Sequence, residues 1–148
     1  MSTADLAAVF VALYAGHQVA DHWLQTQHQA DNKGKPGWSG RWACVKHVST
    51  YGLTQLAALA LVALVTDLHL SPTTLAAGMA INLASHYIAD RRTPLRWLAE
   101  LAGVGRFYTL GAPRPGHDDN PSLGTGAYAL DQSWHIGWLF VAALIIAA

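Results

Sequence analysis

The chain reads as an all-α polytopic membrane protein: a four-transmembrane-helix up-down bundle with a short cytoplasmic interfacial helix. Three observations predict this. Of 148 residues, 52% are hydrophobic and 12% charged, about half the charged fraction of a soluble domain. Four apolar stretches, residues 5–27, 42–66, 73–92 and 128–148, each approach the ~20 residues that a helix needs to cross a bilayer core. All nine Lys and Arg fall around the first and third connections between those stretches. The length allows one domain, 1–148.

The first stretch carries His17 and Asp21 and lacks a basic leader, so it is expected to be kept as a helix rather than cleaved as a signal. Lys33, Lys35, Arg41 and Lys46 mark its connection to the second. That second stretch contains LTQLAALALVALV, and the fourth ends in WLFVAALIIAA. Neither run has the polar stripe of a helix in a soluble bundle. A short turn, Asp67 to Ser71, leads to the third, which Ser71-Pro72 opens as a helix-start signal. Thr93-Pro94 repeats that device and predicts a short helix, PLRWLAELAGV. Its Leu95, Leu98 and Leu101 or Ala102 are expected either on the membrane surface or against the bundle. Residues 93–127 then form one cytoplasmic loop, irregular from Gly103 to Gly126 where Gly and Pro accumulate. Arg91, Arg92, Arg96, Arg106 and Arg114 belong to this side. By the positive-inside rule the basic loops are cytoplasmic and both termini lie outside an inner (cell) membrane. Trp23, Trp38, Trp42, Trp97 and Trp134 are expected at the cytoplasmic interface as anchors.

The chemistry lies in four polar pairs spaced i, i+4: His17 and Asp21, His47 and Tyr51, His86 and Asp90, Asp131 and His135. This spacing puts both members on one helix face. Alternating helix direction then brings all four pairs to one depth, with Asp21, His47, Asp90 and Asp131 shallower and His17, Tyr51, His86 and His135 deeper. The two hairpins echo each other, which hints at an internal duplication. Ionisable groups in a membrane helix cost ~2.5–3.5 kcal/mol each unless compensated. Imidazoles and carboxylates without thiolates suit a divalent metal, Zn first and Mn or Fe next. Two such ions against three carboxylates leave one positive charge, which hydroxide would balance. A proton or metal-ion pathway, haem and purely structural hydrogen bonding are the other readings of the same groups. Three carboxylates beside a haem would be electrostatically odd.

The expected metal ligands are His17, Asp21, His47, His86, Asp90, Asp131 and His135, with Asp90 or Asp131 as general base and Tyr51 as proton donor or ligand partner. Gln25 and Asn82, each one turn from a pair, are expected either to orient ligands or to make structural hydrogen bonds. His22 and His28 lie off that face. His117, Asp118, Asp119 and Asn120 read as a solvated turn before they read as a lid. The single cysteine, Cys44, packs as a small apolar residue. The expected function is metal-dependent hydrolysis of a membrane-associated or amphipathic substrate, at a site opening to the cytoplasm. The alternatives are a metal-ion or proton transporter using the same cluster, or a non-catalytic membrane scaffold. Membrane lipids are expected partners. Nucleic acid is not, because the basic residues are accounted for by topology and no DNA-binding motif occurs.

GHQVADHWLQT, KHVSTY, NLASHYIAD and ALDQSWHI resemble the successive motifs of the bacterial and phage membrane family called domain of unknown function 3307, over nearly the whole chain. The resemblance implies a four-helix integral membrane protein and brings no activity. The HxxxD helices are more distantly similar to membrane-bound metal-dependent hydrolases. That likeness implies metal-assisted hydrolysis, for His17, Asp21, His86 and Asp90 only.

Overall fold

In the computed structural model, which describes residues 2–117 and 124–148, every regular element is helical. Helix α1 (Thr3–Val19) runs directly into a π-helical turn (Ala20–Leu24). It is followed by α2 (Gln27–Asn32), α3 (Gly37–Val65), α4 (Pro72–Asp90), α5 (Thr93–Leu101), α6 (Gly105–Tyr108) and α7 (Gly126–Ile146). The four long helices close a ring, with α1 and α4 each packed against both α3 and α7. Neighbours are antiparallel: Gly16 abuts Gln55, Asp21 meets His47, Trp134 bonds to the Ser85 carbonyl, and Thr74 to that of Ile146. The start of α1, the α3–α4 turn and the end of α7 therefore share one end. The basic connections share the other.

Helix boundaries follow local chemistry. Ser2 and Asp5 form a reciprocal capping box on α1, and Pro72 and Pro94 occupy the first turns of α4 and α5 as expected. The first helix stops at Leu24 rather than at residue 27. Thr26 and Gln29 build a second capping box there and start α2 as a separate helix. Helix α3 begins at Gly37 rather than Trp42, because Pro36 fixes an extended entry. One helical turn, α6, lies within the stretch expected to be irregular. Asp118, Asp119 and Asn120 fall outside the described residues; His117 is exposed.

Polarity runs inside out. Apolar side chains Val9, Leu13, Leu59, Met79, Leu139 and Ile146 fill the half of the core near the termini. In the other half the buried side chains include His17, His47, Gln55, Asn82, His86, Asp90 and His135. Meanwhile Leu53, Leu61, Leu64 and Val65 of α3 are each more than 60% exposed. Helices α3 and α7 are long and apolar enough to cross a membrane, and only 28% of the most apolar window of each is buried. The sequence predicts four such helices; among the described residues these two qualify, and α1 and α4 do not. Helix α1 has 17 residues before its π turn, and α4 spends positions on Thr73, Thr74, Asn82, Ser85, His86 and Asp90.

Of the expected anchors, Trp23, Trp38, Trp42 and Trp97 are exposed. Trp134 differs, because its indole N–H turns inward to the Ser85 carbonyl at 3.1 Å. Helix α5 packs Leu95 and Ala99 against the bundle and leaves Trp97 and Leu101 outside, so it is held by packing on one face and free on the other.

Gly40 ties the fold to the site. A Cβ there would overlap the Lys35 carbonyl, so the turn carrying Lys33 can lie on α3 only above a glycine. Gly40→Ala is expected to cost ~1–3 kcal/mol through overpacking, read as a lower thermal midpoint in detergent; an unchanged midpoint would refute the close approach.

Candidate functional site

The π turn begins at Ala20, in the turn after His17, and carries Asp21; such bulges recur at functional sites. Asp21 Oδ1 lies 3.3 Å from His47 Nε2 and 3.7 Å from His86 Nε2. The last turn of α4 brings Asp90 Oδ2 to 3.2 Å from each of the same two nitrogens. The nitrogens are 3.0 Å apart. Two helices, α3 and α4, and the π turn thus bring four donor atoms close together, and the residues behind them are buried or nearly so.

A second group adjoins the first. His86 stacks between Tyr51, at 3.8 Å between ring centroids, and His135, at 4.2 Å. His17 packs edge-on to Tyr51 and tilted to His135, while its Nε2 lies 3.4 Å from Gln132 Oε1. Asp131 Oδ2 is 3.6 Å from His135 Nε2. One atom from each of Asp90, Asp131 and His135 falls within a 4.8 Å group, as does one from each of His17, Asp21 and His86. All eight paired residues of the sequence therefore meet in one cluster, with the deeper rings touching as their depth predicted.

Of the two roles expected for Gln25 and Asn82, the structure shows hydrogen bonding away from the ligands. Tyr51 O–H donates to Asn82 Oδ1 at 3.1 Å and accepts from Gln55 Nε2 at 2.9 Å. Its hydroxyl is therefore engaged away from the carboxylates, and only its ring faces the cluster. Asn82 Nδ2 donates to Gln55 Oε1, so Asn82 orients Tyr51 and not His86. Gln25 no longer stands one helical turn from Asp21, because the helix has ended; it accepts from Lys33 Nζ at 2.6 Å.

Lys33 is the residue that sequence reasoning missed. Its Nζ lies 2.7 Å from Asp90 Oδ1, and its side chain is 13% exposed. Arg91 holds it there: its two terminal nitrogens donate to the carbonyls of Lys33 and Lys35, at 2.5 and 2.7 Å. Lys33 had counted only as a topology charge, and no local pattern links it to a carboxylate fifty-odd positions away. Gln132 was missed as well, although it sits between Asp131 and the His135 turn.

Among the described residues, the buried side-chain polar atoms without a hydrogen-bond partner belong to His17, Asp21, His47, His86, Asp90 and His135. Such orphans are rare and call for an explanation, and here all fall in one cluster. Donors 2.0–2.1 Å from one ion at tetrahedral angles stand about 3.3–3.4 Å apart. The five separations above, 3.0 to 3.7 Å, bracket that value. A cavity of 330 Å³ reaches the cluster from the basic end, lined by Asp90, Asp131, Lys33, Arg92, Tyr108 and Tyr128.

These features describe a helical protein with a buried His/Asp cluster able to hold a metal ion. The profile of the family described as "Protein of unknown function (DUF3307)" matches residues 9–148, and the chain belongs to that family. No curated protein and no solved structure matches it. The hydrolase resemblance is not shown by these comparisons.

Proposed function

We propose that this chain spans the inner membrane four times and binds a divalent metal, Zn before Mn or Fe, as a hydrolase whose site opens to the cytoplasm. The observation that carries the metal is the buried group His47, His86 and Asp90, whose donor atoms lie 3.0–3.2 Å apart, with Asp21 Oδ1 3.3 Å from His47 Nε2 and several of these side-chain atoms otherwise orphaned. Lys33 also changes the charge balance. Three carboxylates against one ammonium leave a net charge of about −2, which one divalent ion neutralises without a second. When bound, such an ion polarises a scissile carbonyl or phosphoryl oxygen and activates water.

Asp131 is placed for the base. It lines the cavity, is 28% exposed, and lies beside His135, where it can accept a proton from water on the open side of the cluster. Asp90 is less suited, since Lys33 already occupies its Oδ1. His17 and His135 remain further ligand candidates. Tyr51 serves as a wall for His86, and its proton goes to Asn82.

The four-span reading rests on the exposed apolar surfaces of α3 and α7, and on the two shorter helices that close the same ring. Lys and Arg at the cluster end orient that end to the cytoplasm, with both termini outside. The apolar half-core from Val9 to Ile146 leaves no polar route onward from Gln55, which favours a hydrolase over a transporter.

Elemental analysis of protein purified without chelators is expected to give about one metal ion per chain. Asp131→Asn should keep that ion yet lose hydrolysis of a chromogenic phosphomonoester in micelles by ~100-fold or more, the usual scale of a general base. Metal-free wild type would end the metal reading. Full activity in Asp131→Asn would end the role of Asp131.

A further inference from the structure

The polar cavity does not stand alone. Leu95 of α5 forms part of its wall and also of an apolar groove of 460 Å³ between α5 and α7, lined by Leu98, Leu130, Trp134, Trp138 and Val141 among others. Both volumes lie in the range of small-molecule sites. The groove is predominantly apolar: Ser133 Oγ donates to its own helix at the Leu130 carbonyl, and the Trp134 N–H is directed to Ser85. From Leu130 to Val141, helix α7 rises about 16 Å at 1.5 Å per residue. One leaflet of a ~30 Å bilayer core is about as deep.

The polar cavity that Leu95 joins to the groove carries two cations, Lys33, paired with Asp90 at 2.7 Å, and Arg92. Arg92 is the non-glycine residue with positive φ among the described residues, at 59°. That conformation costs ~1–3 kcal/mol and tends to persist where function requires it.

We infer that the site takes an anionic phospholipid, its phosphate between Lys33 and Arg92 and one acyl chain in the α5–α7 groove. This rests on the hydrolase reading above and supplies its substrate class. With a divalent ion offsetting the carboxylates of the cluster, Lys33 and Arg92 leave the mouth cationic, and such a mouth opening onto a leaflet-deep apolar channel matches a headgroup joined to a chain; neither half alone uses both volumes.

Gly137 supplies a test that spares the fold. It is exposed on the groove wall, and a Cβ there would meet nothing within 4 Å, so Gly137→Phe starts its side chain in open space and obstructs the channel. Lipid retained by the full chain after incubation with phosphatidic acid, or with phosphatidylcholine of the same chains, would be quantified by native mass spectrometry, with metal measured in parallel. Wild type is expected to prefer phosphatidic acid about tenfold, and Gly137→Phe and Arg92→Gln each to lose about tenfold with metal unchanged, the effect of ~1.4 kcal/mol. Glycerol 3-phosphate, the headgroup without a chain, should compete at least tenfold less well. Equal retention of the two lipids, undiminished retention by Gly137→Phe, or competition by glycerol 3-phosphate as strong as by the lipid would each overturn the inference. Selective retention by a metal-free wild type would uphold the lipid site and refute the metal reading.

Discussion

His86→Ala is expected to strip the protein of metal and to lower its stability at the same time. The His86 imidazole packs between Tyr51 and His135, and its Nε2 faces His47 Nε2, Asp90 Oδ2 and Asp21 Oδ1 within 3.0–3.7 Å. Loss of an outer-shell partner alone costs 10–100-fold in metal affinity, so loss of a ligand should cost ~100-fold or more. Truncating so large a buried side chain should also cost ~2–5 kcal/mol through the cavity it leaves. His86→Gln separates the two effects, because it keeps most of the volume while replacing the ring nitrogen by an amide. It should fold near wild-type stability in chelator and still fail to bind metal in elemental analysis. Wild-type metal content in His86→Gln would show that the ring is packing and not a ligand.

The contrast between His86 and Lys33 explains what the amino-acid sequence could disclose. The i, i+4 pairs were legible because helix geometry alone decides that His17 faces with Asp21, or His86 with Asp90, and alternating helix direction decides their level. The sequence also disclosed four helices, because long apolar runs and Ser-Pro or Thr-Pro starts are local signals. Lys33, Gln132 and the Tyr51–Asn82–Gln55 network were not legible. Each depends on which residues meet across the ring, and the turn between α2 and α3 is placed by Arg91, far off in the chain. The end of the first helix was misread for a related reason. The apolar pattern continues to Leu24, but the π turn and the Thr26 capping box override it locally. Trp134 shows the limit of reading an aromatic from its depth. An indole at interface level can bond a neighbouring helix instead of a headgroup.

Lys33→Met is expected to destabilise the metal-free protein strongly and to make it depend on metal. In the wild type Lys33 neutralises Asp90 across 2.7 Å, in a site where the carboxylate is 3% and the lysine 13% exposed. Removing one partner of such a pair leaves the other charge uncompensated, at a cost of ~3–5 kcal/mol. Methionine keeps the aliphatic stem, so packing changes little and the loss reports on charge. A bound divalent cation replaces the missing positive charge, and by linkage any ligand that binds only the folded state raises its stability in proportion to RT ln(1 + [L]/Kd). Added Zn should therefore raise the thermal midpoint of Lys33→Met more than that of wild type. Melting in chelator and then in excess Zn reads both effects. If the mutant melted with the wild type in chelator, Asp90 would have another counter-charge; if Zn left the gap between them unchanged, the ion would not be acting on Asp90.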